Sequence, residues 1–138
     1  MYMNSFNKTV DLVHRALDAS SMRRSIIANN IANAKVPNFK RSDLNFESEL
    51  KRALDSEKQK PELELRLTDP RHISNRTTVD YQTVTPRRVL DYISTSNNNG
   101  NNVDPEQEFM RALENQMTYT LLAQAETFEF SQINTILR

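Results

Sequence analysis

The chain has 138 residues, enough for one compact domain or for a helical core with a loosely attached middle segment. A hydrophobic fraction of 37% and a mean hydropathy of −0.71 leave little apolar surface for a self-sufficient core, which fits a subunit completed by its neighbours or a partly disordered binding protein. Eighteen basic residues balance eighteen acidic ones, excluding the net basic field that would recruit nucleic acid or an anionic membrane surface.

From about Ser5 to Asn33, the residues Phe6, Val10, Val13, Leu17, Ile27 and Ile31 recur in steps of three and four, interrupted on the same line by Ser20 and Arg24. This spacing predicts an amphipathic helix. Leu12, Ala19, Met22 and Ile26 fall on another side of the same wheel. The single glycine of the chain is Gly100, so nothing breaks this helix from within, and Pro37 stops it. Residues Met1 to Thr9 lack the basic and apolar regions of a secretory signal. No stretch reaches the roughly 18 apolar residues of a membrane span. Direct membrane insertion is therefore not expected, and passage out of the cytoplasm would need another export route.

The middle, residues 38–103, differs in kind. Residues 51–60 are densely charged and read as a helix tail or an exposed connector. Leu63, Leu65 and Leu67 alternate with charged residues and predict a half-buried strand. Thr77 to Val84 predicts a second strand, and Leu90, Tyr92 and Ile93 a third short piece. The asparagine-rich run around Gly100 reads as a turn.

Asp104 and Pro105 open the last segment as an N-cap and a first-turn proline, and no breaker follows before Arg138. Two apolar stripes lie on opposite sides of this predicted helix. Met110, Leu113, Met117, Leu121 and Phe128 form the stripe assigned to pairing with the N-terminal helix. Tyr119, Leu122, Phe130, Ile133 and Leu137 form the stripe left for a neighbouring subunit. A helix apolar on two sides must be covered twice. The ends are also complementary in charge: residues 1–37 carry five bases and two acids, +3, and residues 104–138 carry two bases and six acids, −4.

Chemistry is hard to place on this chain. There is no cysteine, and the two histidines, His14 and His72, lack a second ligand at metal-binding spacing; both read as solvated or cap-like. One glycine cannot build a phosphate-cradling loop. The basic runs at 22–25 and 39–42 are short and read as a helix surface and a helix exit, so no nucleic-acid partner is expected. The asparagines at 29, 30 and 33 outnumber what one helix cap needs, and Ala28 and Ala32 between them predict a closely packed junction.

At that junction Asn29-Asn30-Ile31-Ala32-Asn33, continuing to Pro37-Asn38-Phe39, resembles the N-terminal signature of bacterial flagellar axial proteins. Gly100-Asn101-Asn102-Val103-Asp104, ahead of an acidic long helix, is similar to their C-terminal element. Motif order, length and the Pro-Asn-Phe ending are most similar to the basal-body rod proteins. Val36 departs from the threonine that often precedes the proline. The resemblance implies a mainly α fold: an antiparallel coiled coil of the terminal helices (1–37 and 104–138) with a small irregular β-containing middle (38–103). It implies a structural role with no catalytic activity, cofactor or metal. Implied partners are copies of itself, other flagellar rod and basal-body proteins, and the flagellar type III export apparatus. The implied place is the rod on the periplasmic side, reached without a cleaved signal, where non-closing head-to-tail contacts build a helical tube that carries motor torque to the hook. Read from residues alone, a helical binding module or export adaptor that receives a partner helix on its exposed stripe is the alternative.

Overall fold

A computed structural model describes residues 2–58, 68–69, 71–72, 78–94, 96 and 98–137, with side chains from residue 5 onward. The elements in order are α1 (Tyr2–Ala32), β1 (Ser42–Asn45), α2 (Glu47–Lys58), β2 (Arg87–Leu90) and α3 (Pro105–Ile136). The fold is mainly α, with two long terminal helices packed together and one small two-stranded antiparallel sheet of β1 and β2. The chain divides into two compact units, one of Met1–Leu44 with Arg88–Arg138 and one of Asn45–Arg87. Residues 38–44 and 88–103, grouped with the middle on sequence grounds, belong to the helical unit.

Within the helical unit α1 and α3 run antiparallel, as four cross-helix pairs show. Phe6 and Phe130 meet edge to face with ring centroids 6.3 Å apart. His14 Nε2 donates to Glu126 Oε1 at 2.6 Å. Ser20 Oγ donates to Asn115 Oδ1 at 3.0 Å, and Asn115 Nδ2 returns a bond to the Ser20 carbonyl at 2.9 Å. Asn30 Nδ2 donates to Glu108 Oε2 at 2.9 Å. Along α3 the seam that faces α1 therefore recurs every seven residues through Glu108, Asn115, Leu122 and Glu129, all buried or half-buried. Glu126 and Ile133 form its second line.

This seam overturns the pairing expected of the first stripe on α3 and splits the second, of which Tyr119, Phe130 and Leu137 stay exposed while Leu122 and Ile133 turn toward α1. Met110, Leu113, Met117, Leu121 and Phe128, expected to pack on α1, are between 51 and 66% exposed and point away from it. Of the stripe expected to face a neighbour, Leu122 and Ile133 are half-buried in the seam and Phe130 meets Phe6. Tyr119 is partly exposed beside the seam, and Leu137 stays exposed at the C-cap. The reason is that a wheel drawn by hydrophobicity scores Glu108, Asn115 and Glu126 as outward, whereas each has a polar partner reaching across from the other helix or its exit. A satisfied polar group can be buried at little net cost. On α1 the expected residues do face inward: Ile27 is buried, and Phe6, Val10, Val13, Leu17 and Ile31 are half-buried. Ser20, read as an interruption of that stripe, is a buried member of it. His14, read as solvated or cap-like, is exposed and also reaches Glu126 across the seam.

Asn45–Arg87 is described by itself. α2 has Glu47 and Glu49 in its first turn and Lys58 in its last, a charge order that suits the helix dipole. Ala53 is the buried residue of α2, and Phe46, just before it, is buried as well. The Val79 N–H donates to Ser56 Oγ at 3.0 Å. The second expected strand is not one over its described part: Asp80 accepts the Gln82 N–H at 2.9 Å and caps a short 3-10 turn, Tyr81–Thr83. An Asp side chain competing for local backbone favours such a turn over a ladder. The expected strand through Leu63, Leu65 and Leu67 lies outside the described residues. Of the third, Leu90 ends β2, and Tyr92 and Ile93 lie beyond it.

Candidate functional site

Among the described residues of the helical unit, buried polar residues outnumber buried apolar ones. Ser20, Asn30, Arg41, Ser42, Asn101, Asn102, Glu108 and Asn115 are buried, against Ala19, Ile26, Ile27, Leu44 and Val103. Six of the eight polar residues meet where α1 ends and α3 begins. This hub joins the two terminal helices.

The end of α1 is built by asparagines. The Asn33 N–H is shared between the Asn29 and Asn30 carbonyls, 3.2 Å from each, and Asn33 Nδ2 donates to the Asn29 carbonyl at 2.7 Å. Asn29, Ala28 and Ala32 are exposed, so the close approach expected of the alanines is not made by them. Asn30 makes it instead. Its Oδ1 accepts the Ser42 N–H at 3.1 Å, and its Nδ2 donates to the Ser42 carbonyl at 2.8 Å as well as to Glu108.

Opposite this end the second motif closes. Asn101 Nδ2 lies 3.0, 3.0 and 2.8 Å from the carbonyls of Asn33, Ala34 and Val36 in the exit from α1, where the Asn33 and Val36 oxygens also accept the Val36 and Phe39 N–H groups. Its Oδ1 accepts the Val103 N–H at 2.7 Å. Asn102 Oδ1 accepts the Arg41 N–H at 2.6 Å, and Asp104 caps α3 by accepting from Glu106 N–H at 3.0 Å. Between the motifs the chain passes close to itself: the Asn38 N–H donates to the Asn99 carbonyl at 3.1 Å, and Lys40 Nζ to that of Gly100 at 2.8 Å. Gly100 has φ +78°, a backbone conformation that favours glycine, and a Cβ there would also displace the Asn38 side chain, whose Oδ1 lies 2.5 Å away. Asn38 itself has φ 60°, a conformation asparagine tolerates better than most residues. Pro37 is exposed, and Phe39 is half-buried.

Arg41 is the charged centre of the hub. Its Nε donates to Glu108 Oε1 at 2.7 Å, its Nη2 to Asp43 Oδ2 at 2.8 Å, and its Nη1 lies 3.6 Å from Asp91 Oδ2. Arg111 Nη1 reaches Asp43 Oδ2 at 3.2 Å. Burial alone would push Arg41 down, but the hydrogen bond to Glu108 and the fields of Asp43, Glu108 and Asp91 more than offset it and hold the guanidinium above its ordinary value. Asp91 is held down to about 2, first by the Ser94 hydroxyl and N–H and then by Ile93 N–H and Arg41. None of this is a reactive arrangement: every carboxylate here is tied to a guanidinium or to backbone. Among the described residues no group of three or more His, Asp or Glu is placed to hold a metal, and no helix is long and apolar enough to cross a membrane.

Sequence reasoning singled out both asparagine motifs but missed Arg41, Asp43, Asp91 and Glu108. Glu108 carried a signal, since it lies seven residues before Asn115. Two polar residues at one heptad position mark a specified seam.

The family model described as "Flagella basal body rod protein" matches residues 14–40, the second half of α1 and its exit into the hub. A flagellar basal body rod protein FlgB of Borreliella burgdorferi is 46% identical over 136 residues, 99% of this chain and 100% of the relative. The chain belongs to the flagellar basal-body rod protein family. FlgB proteins of Borrelia hermsii, 41% identical over 99% of this chain and 100% of theirs, and of Bacillus subtilis, 30% identical over 98% and 97%, extend the likeness over both helices and the middle. This rod protein is thus a structural subunit of the flagellar basal body. Within it the hub joins the end of α1 to the start of α3.

Proposed function

We propose that the subunit enters the rod through the outward face of α3. The observation that carries this reading is the position of Met110, Leu113, Met117, Leu121 and Phe128, exposed on the side of α3 opposite α1. Their spacing of three, four and seven residues is that of a helix-packing face. Burying one such side chain contributes about 1.5–3 kcal/mol, so the five together are a substantial driving force to set against the cost of association.

The polar seam serves the same end. A helix pair held by matched polar contacts keeps one register and leaves its apolar residues to the polymer. In the assembled state the neighbours on this face are copies of the subunit and other rod proteins, forming a helical tube on the periplasmic side that passes motor torque toward the hook. Delivery through the flagellar type III export apparatus without a cleaved signal belongs to the same reading.

Leu121→Glu combined with Phe128→Glu tests it. Both positions are exposed in the subunit, so circular dichroism of the purified variant is expected to match the parent. Incorporation into basal bodies is expected to be lost, and motility with it. A variant that builds rods at the parental level would show that this face is not used.

A further inference from the structure

Apart from α3 and its C-cap Leu137, exposed large apolar side chains cluster along the described chain at one stretch: Val89 and Leu90, on opposite faces at the end of β2, then Tyr92 and Ile93. Ile93 is 95% exposed. Scattered apolar residues on a surface need no explanation, but a contiguous group does. This group is also held still. Asp91 Oδ1 accepts the Ile93 and Ser94 N–H groups at 3.0 Å each, and Asp91 Oδ2 accepts the Ser94 hydroxyl at 2.6 Å. Asn102 Nδ2 donates to the Asp91 carbonyl at 2.7 Å, and the Asp91 N–H donates to the Arg41 carbonyl at 2.8 Å. The hub that joins the helices therefore also presents Tyr92 and Ile93 to solvent on a fixed turn, which lowers the ordering cost of binding.

We propose that the Tyr92–Ile93 knob of one copy seats on the N-terminal half of the outward face of α3, at Met110, Leu113 and Met117, of a second copy. Two features of the chain select this occupant. Contacts that do not close need two different complementary patches on one molecule. Among the described residues, and leaving aside the exposed C-terminal pair Ile136 and Leu137, exposed large apolar side chains gather on the α3 face and at the knob, while the expected apolar stripe of α1 is turned inward. Charge supports the same pairing. Exposed Arg88 precedes the knob, and exposed Glu106 and Glu114 border the α3 face at this end, so opposite signs rim the two patches. The proposal rests on the reading of α3 as the assembly face and adds which surface of the neighbour meets it.

The chain has no cysteine, so a pair of introduced ones reports a single contact. Ile93→Cys and Leu113→Cys would be produced together in one cell, the basal bodies purified and oxidised, and the linked peptides identified by mass spectrometry. Both positions are exposed, and rods containing both variants are the sample. The expected result is a disulfide dimer joining position 93 of one copy to position 113 of another. Rods that contain both variants but give only 113-to-113 links, or no link, overturn the pairing. If the Leu121→Glu, Phe128→Glu variant still builds rods, the reading of α3 fails instead, so the two failures are told apart.

Discussion

Arg41→Met is expected to destabilise the subunit by about 3–5 kcal/mol, the cost of breaking a buried pair and leaving one charge behind. Glu108, 1% exposed, would keep Asn30 at 2.9 Å and Arg111 at 3.7 Å but lose its 2.7 Å partner. Asp43 and Asp91 would lose the cation between them and Glu108. A loss of this size is a large part of the roughly 5–15 kcal/mol that holds a domain folded. Urea unfolding followed by circular dichroism measures it. Arg41→Lys should recover only part, since an ammonium cannot reproduce three divergent guanidinium contacts. A shift below about 1 kcal/mol for Arg41→Met would mean that the hub does not depend on this charge.

Asn101→Ala is the second large effect, about 1–3 kcal/mol, the cost of leaving a buried polar group without its partner. The side chain is 1% exposed and serves three carbonyls at the exit of α1 and the Val103 N–H ahead of α3. Its loss should uncouple the two helices at one end without emptying an apolar core. Amide exchange gives the specific readout: faster exchange at residues 99–103 and in the last turn of α1, with the middle of α3 little changed. An unaltered exchange pattern would show that the other hub contacts hold this end alone.

Much of the fold was legible in the sequence. The absence of glycine and the single stop at Pro37 outline α1, and Asp104-Pro105 marks the start of α3. The two asparagine motifs were visible as more than caps, and they do interlock. What sequence could not show was which side of α3 turns inward. Hydrophobic periodicity assumes that polar residues prefer water, and α3 breaks that assumption at Glu108, Asn115 and Glu126, whose partners lie 78, 95 and 112 residues away. Arg41 was hidden for the same reason, since a basic residue after a helix exit reads as solvated until Asp91 and Glu108, from distant positions, join the nearby Asp43 around it. The charge count of the terminal segments did not show where pairing falls: Glu108 meets Arg41, outside the N-terminal segment counted, and Glu126 meets His14, not counted as a base. β1 and β2 are four residues each and pair across a long connection, too short for alternation to register.

The central claim is that α3 docks on α1 through its polar seam and keeps its apolar face for the rod. Met110 and Met117, on opposite turns of that face and both more than half exposed, are built-in reporters, since exposed methionine is readily converted to sulfoxide. Brief peroxide treatment followed by peptide mass spectrometry would compare purified subunit with intact basal bodies. Both methionines are expected to oxidise readily in the subunit and to be protected in the rod. Equal oxidation in the two samples would contradict the account.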